Sequence, residues 1–158
     1  MGTNFFFFTN DKQTVQKYAP YSYELTDEPE FGYLVHVGKR GYGWIPLWQA
    51  HINGISSVRE YKEAYDTGAF RIIDEYYNEY DWDKFAEKFI QFNGGISGVQ
   101  KKEKLNNDPQ SSFYNPHVPE YGPISHCSGP ECTYNFGSYA GDYFKDAEGY
   151  EFTSHKFS

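Results

Sequence analysis

The chain has 158 residues, a formal net charge of −8 and a sequence pI of about 5.0. That length suits one domain, 1–158, with a core that needs no staples, and the acidity excludes a general attraction to nucleic acid or anionic lipid. The aromatic share of 21%, from 16 Tyr, 14 Phe and 3 Trp, exceeds what a core readily takes up, so the surplus is expected on a partner-binding surface or on half-exposed strands.

The opening MGTNFFFFTN carries no charged n-region and no small-residue cleavage site, so no secretory leader is expected. Gly2 does not make a myristoylation signal, because Phe6 stands where Ser or Thr is needed. No run reaches the ~18 apolar residues of a membrane span. Two Cys are too few for a disulfide framework and suit a reducing cytosol.

Thr3 to Thr9 reads as a strand, its four consecutive Phe suiting burial on both faces. Residues 10–30 are polar and hold Pro20 and Pro29, which predicts a long loop or insertion. Phe31 to Val37 alternates as a second strand, with Leu34 and His36 on the face opposite Val35 and Val37. Gly38-Lys39-Arg40-Gly41 reads as a hairpin turn, and Tyr42 to Gln49 as the returning strand. A first helix starts at the Ser57 cap, with Glu60 completing a capping box and Gly68 closing it. Phe70 to Asp74 is a short strand. Asp81 caps a second helix, on which Trp82, Phe85, Ala86, Phe89 and Ile90 form one apolar face up to Gly94-Gly95. Residues 96–132 lack periodicity and predict a long irregular insertion, before late strands at Thr133–Tyr139 and Gly149–Phe157. The expected fold class is α+β, a small antiparallel sheet with two amphipathic helices on one face.

The MGTN start, HVGK at His36–Lys39, Gly43-Trp44, IIDEY at Ile72–Tyr76 and EGYEF at Glu148–Phe152 resemble, in order and spacing, a family of small tailed-phage proteins. Its members carry an HIGK-type segment, a Gly-Trp and a DEYG-type turn. The resemblance runs over most of residues 1–92 and resumes at the C-terminus. This chain departs from the pattern at Tyr77, where the DEYG glycine would stand, and in having no Cys in residues 10–30. The family has no established activity, so the resemblance implies a phage or prophage source, and with it the cytoplasm of an infected bacterial host, but no reaction.

Three clusters could carry function. The first is His36, Lys39, Arg40 and Trp44, where a glycine-rich turn, cations and an indole suit a nucleotide; the plain alternative is a basic hairpin tip with a core Trp. The second is the acidic-aromatic run holding Asp74, Glu75, Tyr76, Tyr77, Glu79, Tyr80 and Asp83. Carboxylates in a row imitate phosphates and aromatics anchor interfaces, which suits a host protein with a basic groove, such as a nucleic-acid-binding defence protein. The alternative there is a solvated turn with helix caps. The third is His117, His126, Cys127 and Cys132, four donors able to hold a structural zinc, or else a loop with two free thiols. No set of nucleophile, base and acid is supported by spacing. The leading expectation is a non-enzymatic phage accessory protein that inhibits a host protein by occlusion. The alternatives are a nucleotide-binding or nucleotide-processing module and a virion or assembly component.

Overall fold

The computed structural model describes residues 2–28, 30–41, 46–114 and 143–157. Among these the chain forms an α+β fold around one eight-stranded sheet. The strands are β1 (Gly2–Thr9), β2 (Glu24–Thr26), β3 (Gly32–Gly41), β4 (Leu47–Gln49), β5 (Arg71–Asp74), β6 (Glu79–Tyr80), β7 (Tyr143–Lys145) and β8 (Glu151–Thr153). They lie in the order β6-β5-β1-β3-β4-β8-β7, and β2 shares with β4 the side of β3 away from β1. The sheet is larger than expected and mixed rather than antiparallel, because β4 and β8 pair in parallel. A parallel pair needs a long crossover, and about a hundred residues separate these two strands.

Alternation along β1 sorts its four phenylalanines. Phe5 and Phe7 face the helices with Val35, Val37, Trp48, Ile72 and Phe152, all fully buried. Phe6 and Phe8 face the opposite side with His36 and Gln49. A bulge between Phe5 and Phe6 leaves Val37 unpaired, so Val37 and Gly38 both turn inward. Gly38 is not in a turn, as was expected. The strand runs through it, and its missing side chain admits Phe89, whose Cζ lies 2.7 Å from where a Cβ would stand. Of the expected returning strand, Leu47–Gln49 is seen as β4, and residues 42–45 lie outside the described region.

Two further expectations need correction. Residues 10–30 are no simple loop: Asp11 caps helix α1 (Lys12–Tyr18), and β2 follows. Only Val15 is buried within α1, too sparse a stripe to register as helical periodicity. The start of the predicted irregular insertion is helix α4 (Gly95–Asn107), whose buried residues are Gly95 and Val99. Within its polar KKEK stretch Lys101 and Lys104 are exposed, while the half-buried Glu103 pairs with Lys145 of β7 at 2.7 Å. The predicted strand at 133–139 lies outside the described residues.

The two predicted helices are present. In α2 (Val58–Asp66), Ser57 Oγ accepts from the Glu60 amide at 3.1 Å, and Gly68 follows with φ +80°. Asp81 caps α3 (Trp82–Phe85), which widens at Ala86–Ile90 into a π-helical turn closed by Gln91 N–H to Ala86 O at 2.8 Å. That extra residue keeps Phe85 and Phe89 stacked 5.3 Å apart against Phe5 and Trp48. Tyr61 of α2 crosses the core and donates to Gln49 O at 2.6 Å and His36 O at 3.2 Å. Helices α1, α2 and α3 thus cover one face of the sheet, and much of the aromatic surplus is core. No described helix is long and apolar enough to cross a membrane.

Candidate functional site: two aspartate turns and an open-face cavity

The acidic-aromatic run is a hairpin turn between β5 and β6, organised by Asp74. The Asp74 carboxylate accepts from the Tyr76 and Asn78 amides (2.9 and 3.0 Å), the Asn78 side chain (3.1 Å) and the Tyr80 hydroxyl (2.7 Å). Burial works to raise the Asp74 pKa, but these four donors outweigh it and hold the group below the usual carboxylate range. Burial and the bond to Asp74 together push Tyr80 up to about 12. Glu75 is tied to the Asn4 amide at 2.9 Å, and Glu79 lies 3.5 Å from Arg71, which also pairs with Glu30. Asp83 sits in the first turn of α3, where helix amides favour it. The structure therefore gives Asp74, Glu75 and Tyr80 structural partners and leaves Tyr76 and Tyr77 at 67% and 47% exposure.

A second turn, between β7 and β8, has the same construction. Asp74 N–H to Asn78 O and Tyr77 N–H to Asp74 O, both 3.0 Å, are matched by Asp146 N–H to Tyr150 O and Gly149 N–H to Asp146 O, also 3.0 Å. Asp146 accepts from the Glu148 and Tyr150 amides (3.1 and 2.9 Å), as Asp74 does from Tyr76 and Asn78. In both, the residue three past the aspartate is left-handed: Gly149 at φ +96°, Tyr77 at φ +68°. Glycine adopts that conformation freely, whereas a bulky side chain there strains the backbone. The Tyr77 hydroxyl bonds Glu28, and this bond raises the tyrosine pKa. Glu28 comes from the loop after β2, fifty residues away, and no local pattern in the sequence ties it to this turn.

The predicted nucleotide cluster is not assembled as a turn. His36, Lys39 and Arg40 all lie on β3, and consecutive Lys39 and Arg40 point to opposite faces. Arg40 donates to Lys88 O at 2.8 Å and lies over the Phe92 ring. Trp44 is outside the described residues. So are His117, His126, Cys127 and Cys132, and among the described residues no group of His, Cys, Asp and Glu is placed to hold a metal.

His36 instead lines a cavity of about 390 Å³ on the face of the sheet opposite α1, α2 and α3. The cavity exists because β2 pairs β3 at residues 32–34 and β4 pairs it at 38–39, leaving a gap on that side. His51 fills the gap. Its Nε2–H donates to His36 O at 2.8 Å, so Nδ1 carries the lone pair and accepts from the Ser22 hydroxyl at 2.5 Å. Burial lowers the His51 pKa to about 4 and also lowers that of His36. A serine on an imidazole is the geometry of a nucleophile and its base. Here, however, the imidazole leans on a carbonyl, not a carboxylate, and a base this weak does not retain a serine proton near neutrality. Phe6, Tyr21, Tyr23 and Phe157 supply rings to the wall, while Glu24 and Lys156 form an ion pair of 2.9 Å at the rim.

Compared with known proteins, the chain matches no family model, no curated protein and no solved structure.

Proposed function

We propose that this chain is a non-enzymatic accessory protein of phage origin that binds a basic host protein through the Asp74 turn and blocks its working surface. The observation that carries this reading is Tyr77. The chain builds the same aspartate turn twice and places glycine at the left-handed position of one, yet an exposed tyrosine in the other. A strained backbone retained under an exposed ring, whose hydroxyl holds the Glu28 carboxylate within the acidic rim, supports a role for that side chain in binding. Exposed tyrosines beside Glu28, Glu75 and Glu79 are the composition of an interface anchor inside an acidic rim, which favours a partner with a positive patch, such as the groove of a nucleic-acid-binding defence protein. The phage source rests on the resemblance of residues 1–92.

The test uses Tyr77→Gly, which removes the ring and relaxes the backbone at once. Affinity purification from host lysate should retain a salt-released partner on the wild-type chain and lose it on the variant, whose melting temperature is not lowered. The same proteins recovered on both chains would refute the reading. Tyr76→Ala should weaken capture in the same way, and Glu28→Lys should weaken it most at low salt.

A further inference from the structure

We propose that the open-face cavity is a binding site for a flat, uncharged heteroaromatic ring that offers N–H donors, a ligand of the nucleobase class. Its volume of about 390 Å³ lies within the ~300–1,000 Å³ span of small-molecule sites, and Phe6, Tyr21, Tyr23 and Phe157 give its wall aromatic rings. The hydrogen bonding of the polar wall decides what it accepts. Gln49 donates through Nε2 to Thr153 O at 3.1 Å and His155 O at 3.0 Å, which turns its Oε1 to His36 Nδ1 at 3.1 Å, while His36 Nε2 lies 2.8 Å from Asn4 Oδ1, so both His36 nitrogens are already engaged. The His51 tautomer is set by the His36 carbonyl, and Ser22 spends its only proton on His51. What Ser22 keeps is two lone pairs, which meet no donor among the described residues. The serine therefore receives donors and offers none.

Charge excludes other classes. Burial works against a charge on both imidazoles, and Lys156, the one ammonium among the described lining residues, lies at the rim. Glu24 and Lys156 neutralise one another at the rim. Phe157 stands edge-on to His36 at 4.7 Å and Phe6 lies 5.3 Å from the same ring, which leaves ring faces and edges for a planar guest. This site is on the face opposite α1, α2 and α3 and is independent of the proposed partner surface, so either reading can fail alone.

The experiment is titration calorimetry and thermal unfolding of the full chain with adenosine, guanosine, cytidine and uridine, with benzoate and naphthalene as controls. At least one nucleoside should bind and raise the melting temperature, with benzoate silent. Its affinity should fall at least tenfold in Phe157→Ala and in Ser22→Ala. Phe157 lies outside the buried core, so that variant separates loss of binding from loss of folding. No binding by any of the four nucleosides would overturn the proposal. So would naphthalene binding as tightly as the best nucleoside, or affinities unchanged in both variants.

Discussion

The two aspartate turns solve one local problem with different surroundings. Asp146 accepts the two turn amides and uses its remaining oxygen on the Val58 amide, 2.9 Å away, at the start of α2. It thus fastens the C-terminal hairpin to a helix 88 residues earlier, and the left-handed position is an unadorned glycine. Asp74 binds the equivalent amides but gives its remaining oxygen to Tyr80, a neighbour on the same hairpin, and the left-handed residue is an exposed Tyr77. One turn is joined to a helix start, whereas the other is joined to β1 through Glu75 and to the loop after β2 through Tyr77, and displays aromatic rings. The hydrogen-bond pattern builds a turn of given shape with either a glycine or a tyrosine at its left-handed corner.

Removing each aspartate should separate the two most strongly. Asp146→Ala strands two buried amides, one of them at a helix start, and a third that is part-buried, and should cost about 3 kcal/mol in urea unfolding. Asp74→Ala frees donors near solvent, which water can partly satisfy, and should cost about 1 kcal/mol. Equal costs would mean that the anchoring of Val58 contributes little.

The corner residues come next. Gly149→Ala should lose about 1 kcal/mol because an L side chain is strained at φ +96°. Tyr77→Gly should shift stability the other way or leave it unchanged. Were the tyrosine variant the less stable of the pair, the ring would be serving the fold, and the partner surface would lose its main support.

Acid titration should show a smaller contrast of opposite sign. The Asp74 pKa is lowered on folding, so its contribution is present above the ordinary value of 3.8 and is lost as pH falls through the lowered one. Burial raises Asp146 despite its amide bonds, so its contribution is full below 3.8 and is lost as pH rises through the raised value. The stability difference between wild type and Asp74→Asn should therefore grow from pH 3 to 7, while that for Asp146→Asn shrinks. Two differences moving in the same direction would contradict the assigned environments.

Much of the fold was legible because its signals are local. The Phe run of β1, the Ser57 and Asp81 caps, and the apolar face of Trp82, Phe85 and Phe89 are set by residues within a turn or two of one another. Helix α1 was illegible because Val15 alone is buried within it, and α4 because its charged residues hide a helix held by Val99 and the Glu103–Lys145 pair. Gly38 misled because glycine serves close approach as well as turns, and only the position of Phe89 tells which.

By itself the sequence determined an acidic α+β chain, the strand β1, the alternation of residues 31–37 in β3, two capped helices and a run of carboxylates and tyrosines at residues 74–83. Tertiary structure alone decided which of those groups remain available, since Asp74, Glu75 and Tyr80 are occupied by partners and Glu28 arrives from a distant loop. It alone decided that His36, His51, Ser22 and Phe157 meet around one cavity. The physical reason is reach: propensity and capping act over a few residues, whereas burial, hydrogen-bond partners and tautomers are set by groups that only the folded chain brings together.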